Sequence, residues 1–322
     1  MGELDGGQAL RLLATMWRIR LFEERVGALT RGDEIHGLVH LSVGQEGVAA
    51  AVCSQLRDDD AVYSGHRAHG HAIAKGAPLD RMLAELMGRA SGLCQGLGGS
   101  MHVVDVEHGF MGATGVVGGN IPVALGSALA ARLRGDDAVA VVFFGDGAVQ
   151  AGHFNETVNL ATLWKLPLLL VCENNGFAEF TPRSGHTNVE RVSDVVAPYD
   201  VERDTVDGND VSAVWDAFGR YLASARTGNG PFLLECLTHR LRGHYEGDPG
   251  KYREALAAAD WQEKDPILRF QRHGIVQGWF AEDALPAVEA EAADAVEQAV
   301  QFARASAFPP VDLIARMVYA DG

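Results

Sequence analysis

From Ala138 to Asn175 the chain reads AVAVVFFGDGAVQAGHFNETVNLATLWKLPLLLVCENN, and few folds accommodate that stretch. Ala138–Phe144 and Leu166–Cys172 are continuous apolar runs, the pattern of strands covered on both faces. Gly152–Lys165 between them has helical periodicity. A strand, one helix and a strand in so short a span make a minimal crossover, which forces the two strands to be parallel and close together.

The same alternation continues. A helix over about Val211–Arg226 leads into a further strand, Pro231–Arg240. The expected fold is therefore α/β, a doubly wound parallel sheet with helices on both faces. Helices are expected over Leu10–Gly32, over Ser42–Leu56 with Ser42 capping its N-terminus, and over Asn120–Leu133. Ala61–Gly76 reads as a short strand, a histidine-rich loop and a helix, and Asp58, Asp59 and Asp60 before it as a solvated loop. Glu282 to about Ala305 reads as an acidic, alanine-rich helix packed on the outside or on another subunit. With no repeat and no linker, one domain over residues 1–322 is expected, with an N-terminal helical segment 8–56 and a C-terminal helical tail 280–306.

In a parallel sheet the loops that follow the strands open on one edge, where such folds bind ligands. Gly145-Asp146-Gly147-Ala148 follows the first strand and Glu173-Asn174-Asn175-Gly176 the second. Taken singly, each is a turn. Taken together they place a carboxylate and an amide oxygen at one edge, hard oxygen ligands suited to Mg²⁺ bridging a diphosphate. Glycines there let backbone N–H groups approach phosphate oxygens. The glycine-rich stretch Ser91–Gly135, up to the helix that starts at Asn120, reads as an ordered, ligand-facing loop because apolar residues are embedded in it.

Charge and cysteine content narrow the function. A formal net charge of -16 argues against nucleic acid as the main partner. Cys53, Cys94, Cys172 and Cys236 lack zinc or redox-pair spacing and fit a reduced, cytoplasmic setting. No apolar run approaches the roughly 20 residues of a membrane span, and MGELDGGQAL is too acidic for a transit peptide. His66, His69 and His71 lie close in sequence but offer no fourth ligand for a transition metal.

The stretch GDGAVQAGHFNETVNLATLWKLPLLLVCENNG resembles the thiamine diphosphate motif, and the blocks GQEGVAAAV, HRAHGHAIAKG, GLGGSMHVVD, GATGVVGGNIPVALGSALA and RGHYEGDPGKYR fall in the order seen in alpha subunits of the two-chain 2-oxo acid dehydrogenase first components. Within that family ENNGFAEFTP and GHYEGDPGKYR look closest to acetoin dehydrogenase alpha subunits. The resemblance implies the thiamine diphosphate-binding fold, with thiamine diphosphate and Mg²⁺ as cofactors. It implies Asp146, Asn175 and the Phe177 carbonyl as metal ligands, and Gly147, Ala148 and Arg67 as diphosphate contacts. Gly115 and Val117 would meet the aminopyrimidine, His66 would stand beside the cofactor, and His244 and His69 would act at the reaction centre, His244 also positioning the cofactor or handling the acyl carrier.

The resemblance also implies a beta subunit carrying the activating glutamate, in an alpha-beta heterotetramer, since Glu46 and Glu156 do not match that position. The acyl group would pass to a lipoyl-bearing acyltransferase or carrier protein. Acetoin is the expected small-molecule substrate. Pyruvate or a branched-chain 2-oxo acid, or two-carbon ketol transfer, are the other enzymatic readings, and a non-catalytic scaffold is the reading from another class. His66 stands where many pyruvate-type members carry tyrosine, Gln150-Ala151-Gly152 where Asn-Gln-Gly is frequent, and Tyr245 where animal pyruvate enzymes carry a regulatory phosphoserine, so that phosphoserine control is not expected.

Overall fold

The computed structural model describes residues 4–252 and 261–317. Helices α1 (Gly6–Arg31) and α2 (Glu46–Cys53) precede strand β1 (Ala61–Ser64), helices α3 (His69–Lys75) and α4 (Leu79–Leu86), and strand β2 (Phe110–Ala113). Helix α5 (Asn120–Arg134), strand β3 (Ala140–Gly145), helix α6 (Gly152–Trp164) and strand β4 (Leu168–Asn174) form the crossover that the sequence announces. A short hairpin, β5 (Phe177–Ala178) and β6 (Thr181–Pro182), is followed by β7 (Glu202–Asp207), α7 (Val211–Arg226) and β8 (Phe232–Leu237). Helices α8 (Trp261–Lys264), α9 (Pro266–Val276), α10 (Leu285–Ala305) and α11 (Leu313–Met317) complete the described chain. Among the described residues no helix is long and apolar enough to cross a membrane.

Six strands form one sheet in the order β2-β1-β3-β4-β8-β7, and every pairing in it is parallel. Alternate residues of each strand enter different cores, as the pleat requires. Ala140, Val142, Phe144, Leu168, Leu170 and Cys172 pack with α5 and α6 on one face. Val141, Phe143, Leu169 and Val171 pack with α1, α2 and α7 on the other. That double cover explains why the strands read as unbroken apolar runs.

Several local expectations needed correction. Helix α1 starts earlier than its apolar periodicity suggests, because Asp5 and Gln8 close a capping box. Ser42 does not cap α2, which begins at Glu46; its backbone N–H and hydroxyl both donate to Glu23, 19 residues earlier. Asp60 is not solvated. It is buried and receives both Nη groups of Arg226 at 2.6 and 3.0 Å. Strand β2, inside the glycine-rich stretch, and the charged edge strand β7 had no periodic signal strong enough to separate them from loop. Helix α10 packs against α1 and α4.

Candidate active site

The crossover fixes the site through its register. Gly145 of β3 pairs with Glu173 of β4, so Asp146 and Asn175 leave the sheet side by side at its C-terminal edge. Between β1 and β3 the chain reverses its direction of winding, because β2 is laid on the far side of β1. The loops after β1 and β3 therefore part and leave a crevice at a topological switch point. A cavity of about 500 Å³ occupies it.

Every site residue expected from the sequence except His69 lines this cavity: His66, Arg67, Gly115, Val117, Asp146, Gly147, Ala148, Asn175, Phe177 and His244. They come from five separate loops, and only the fold brings them together. His69 is fully buried in the first turn of α3, with Nδ1 2.9 Å from Glu23 Oε2 and Nε2 2.9 Å from Ser100 Oγ. It stands behind the cavity wall, so the structure does not place it at the reaction centre. The block RGHYEGDPGKYR is seen as far as Tyr252; its last residue, Arg253, lies outside the described residues.

The residues fit a metal-bound diphosphate on their own chemistry. Both carboxylate oxygens of Asp146 and Oδ1 of Asn175 are buried without a hydrogen-bond partner. Native structures rarely leave such atoms orphaned, because each costs the desolvation of a polar group. His186 Nε2 is 3.4 Å from Asp146 Oδ2, an ion-pair distance, yet it too has no hydrogen-bond partner. Burial raises the Asp146 carboxyl above its ordinary range, and His186 only partly opposes this. A hard cation on these oxygens would remove both penalties.

Glycine is required at position 147, where a Cβ would lie 2.7 Å from that of Ala178. Arg67 is buried with its charge pointed at neutral groups: Nη1 donates to the Leu41 carbonyl and Nη2 to the His244 carbonyl at 2.7 Å. Among the described residues no carboxylate forms a salt bridge with it. Burial and the neighbouring Arg240 push its pKa well down. An anion in the cavity would offset that unfavourable potential.

Some lining residues were not anticipated. Glu173 is a buried carboxylate facing the cavity, 3.3 Å from Nε2 of His71, which stacks on Phe143. Its position at the end of β4, just before Asn-Asn, was the available signal. His40 arrives from the segment between α1 and α2 and meets His66 and His244, with ring centroids 4.7 and 5.1 Å away. Burial, then the charge of Arg67, lowers the pKa of His40 to about 3, of His66 to about 2 and of His244 to about 4. All three rings are neutral at pH 7. The histidine cluster at the site is thus His40, His66 and His244, not the sequence neighbours His66, His69 and His71.

The glycine-rich loop is ordered by one side chain. Buried Glu85 accepts backbone N–H bonds from Cys94, Gly96, Gly98 and Gly99 at 2.7–3.1 Å. Ser100 follows, tied to His69, and then Met101 in the cavity wall. Two buried carboxylates, Glu85 and (through His69) Glu23, thereby set this part of the wall.

Glu46 and Glu156 stay outside the chemistry. Glu46 is buried in a network with Arg20 and the Gly44 N–H, and Glu156 is exposed on α6.

Comparison with known proteins agrees with this geometry. The family model for the dehydrogenase E1 component matches residues 14–312. The subunit alpha of acetoin:2,6-dichlorophenolindophenol oxidoreductase from Bacillus subtilis is 42% identical over 303 residues, covering 94% of this chain and 90% of that one. Its counterpart from Cupriavidus necator is 43% identical over 314 residues, covering 97% and 94%. The pyruvate dehydrogenase E1 component subunit alpha of Rhizobium meliloti is 39% identical over 312 residues, covering 97% and 90%. With a family match over residues 14–312 and relatives of this likeness, the chain belongs to the dehydrogenase E1 component family, as an alpha subunit of its thiamine diphosphate-dependent dehydrogenases.

Proposed function

We propose that this alpha subunit cleaves acetoin, together with a beta subunit, and delivers the acetyl unit to a lipoyl group on an acyltransferase or carrier protein. The observation that carries the reading is the set of three orphaned oxygens, two on Asp146 and one on Asn175, in a cavity that also holds the unpaired charge of Arg67. In this reading Asp146, Asn175 and the Phe177 carbonyl hold Mg²⁺, and Gly147, Ala148 and Arg67 bind the diphosphate. Gly115 and Val117 meet the aminopyrimidine. Thiamine diphosphate, when bound, supplies the electron sink for carbon–carbon cleavage. The substrate choice draws on the two relatives whose names include acetoin.

An alpha subunit of this family works with a beta subunit, and the glutamate that ionises the cofactor is assigned to that partner. Of the two glutamates lining the cavity, Glu173 is engaged by His71 and Glu179 is exposed. A cytoplasmic setting belongs to the same reading and is supported by four free cysteines. A pyruvate substrate is the second reading, supported by the Rhizobium meliloti relative. A non-catalytic scaffold would have no use for the orphaned oxygens.

The test is lipoamide-dependent turnover of the reconstituted alpha-beta complex on acetoin, pyruvate and a ketose. Acetoin turnover well above the other two is expected. Good pyruvate turnover beside inert acetoin would replace the first reading with the second.

A further inference from the structure

Arg67 and His244 face the cavity as one unit, and that unit is fixed from behind. Nη2 of Arg67 donates to the His244 carbonyl at 2.7 Å and lies 3.1 Å from Nδ1 of the same residue, while Nη1 donates to the Leu41 carbonyl at 2.9 Å. The guanidinium therefore spans two segments, the one that joins α1 to α2 and the one that carries His244. Backbone bonds tie these segments together. The N–H of Leu241 donates to the Val43 carbonyl and that of Glu246 to the Val39 carbonyl, both at 2.8 Å.

Two residues beyond His244 the chain turns away from the cavity and meets α1. Glu246 does not line the cavity. Its side chain is 11% exposed, and Oε1 accepts from Nη1 of Arg31 in the last turn of α1. Oε2 rests in the notch left by Gly27, one turn earlier, where a Cβ would stand 3.2 Å from it. Asp248 has a different task. It accepts from the N–H groups of His244 and Gly250 and from the Tyr252 hydroxyl, all within its own loop. Asp248 thus shapes the loop, and Glu246 attaches it to the body of the protein.

We infer that Glu246 is a positioning residue: its ion pair with Arg31 pins the His244 loop to α1 and thereby sets where Arg67 and His244 stand in the cavity. This rests on the assignment of Arg67 and His244 to the cofactor site above, and goes beyond it by naming a control point outside that site.

The loop needs such an anchor. None of residues 241–250 is buried, so apolar packing does little to hold it. Leu41, at the other end of the Arg67 fork, is buried in the main core. One acceptor of the guanidinium is therefore fixed by packing and the other by polar contacts alone. An ion pair with one exposed partner adds little to global stability. Its loss should instead appear as a shift of the loop, and a misplacement of about 1 Å at a reacting group can lower the rate on the order of 100-fold.

The test compares wild type, Glu246→Gln, Arg31→Gln and the double variant in the reconstituted alpha-beta complex. Each single variant should weaken calorimetric binding of thiamine diphosphate with Mg²⁺ by about fivefold. At saturating cofactor, kcat should fall by about tenfold on whichever substrate the wild type turns over best, with KM changed by less than about threefold. Without cofactor, Tm should stay within about 3 °C of wild type. The double variant should be no worse than Glu246→Gln alone, because both substitutions remove one contact. Hydrogen exchange should quicken at residues 241–250.

Unchanged cofactor affinity and kcat in Glu246→Gln would overturn the assignment. So would losses that add in the double variant, since the two side chains would then act separately. A fall in Tm well beyond that range would also overturn it and leave Glu246 as a stabilising residue only. A wild-type complex that binds no thiamine diphosphate removes the reading above and this inference with it, and is distinguishable because it shows before any variant is made.

Discussion

Nε2 of His186 lies 3.4 Å from Oδ2 of Asp146, and neither atom has a hydrogen-bond partner. Asp146 is 1% exposed, so its carboxylate is held out of water with little in return. The fold tolerates this cost at the one corner where β3 hands the chain to the cavity.

Asp146→Asn should therefore stabilise the cofactor-free complex while abolishing Mg²⁺-dependent binding of thiamine diphosphate. Removing a buried, uncompensated carboxylate is worth about 1–3 kcal/mol. Differential scanning calorimetry without cofactor should show a higher Tm than wild type, and isothermal titration should show no Mg²⁺-dependent heat. A variant that binds the cofactor normally would show that the metal ligands lie elsewhere.

Stripping divalent cations should reproduce half of that result in the wild type. In the presence of EDTA, thiamine diphosphate should no longer raise Tm, whereas Mg²⁺ plus cofactor at about 100 times Kd should add about 2.7 kcal/mol. Asn175→Ala should behave in Mg²⁺ as the wild type does in EDTA.

Acid should destabilise the protein earlier than its carboxylates alone would cause. His40, His66 and His244 have folded pKa values of about 3, 2 and 4, below the roughly 6.5 of an unfolded histidine. Above pH 6.5 the rings are neutral in both states and impose no penalty. As pH falls from 6.5 towards 4, the unfolded chain takes up protons that the folded chain cannot, so stability declines by up to about 1.4 kcal/mol per pH unit per ring. Urea midpoints at pH 7.5, 6 and 5 should fall steadily, and His66→Gln should flatten the slope by about one ring's share. An unchanged slope would mean that His66 titrates normally in the folded chain.

Glu85 holds four backbone N–H groups of the glycine-rich loop, so its loss should be felt at the cavity although it does not line it. Glu85→Ala leaves those donors unsatisfied, at a cost of about 3 kcal/mol or more. Hydrogen exchange at residues 94–99 should quicken, and cofactor affinity should drop through Met101. Protected amides in Glu85→Ala would mean that the loop orders itself.

His69→Leu separates structure from chemistry. Its partners Glu23 and Ser100 are left without it in a buried setting, which should cost about 3 kcal/mol in stability. In the fraction that folds, kcat on acetoin should stay within an order of magnitude, because the ring does not reach the cavity. A kcat loss of a hundredfold or more in fully folded protein would return His69 to the reaction centre.

The crossover was legible from residue types alone. Two unbroken apolar runs around one helix admit only parallel strands, and the turn after each run must then open on the same edge. Asp146, Gly147, Ala148 and Asn175 could be placed together for that reason, and α7 at Val211–Arg226 lies where its pattern put it. Elements whose partners are distant in sequence were not legible. Ser42 looked like a helix cap because that is its commonest local role, but Glu23 on α1 takes its hydroxyl. Asp60 looked solvated among aspartates until Arg226 on α7 neutralised it.

The histidines show the division most sharply. Sequence proximity groups His66, His69 and His71, because a chain read in one dimension can weigh only spacing. Folding turns His69 back towards Glu23 and His71 towards Glu173, and brings His40 and His244 to His66 from separate segments on either side of it in sequence. Local pattern determined the sheet, its C-terminal edge and the corner that carries Asp146 and Asn175, since those follow from period and turn chemistry. Which imidazoles share the cavity, which are buried as struts, and which carboxylates order the glycine-rich wall depend on packing between remote segments, and only the tertiary structure decided them.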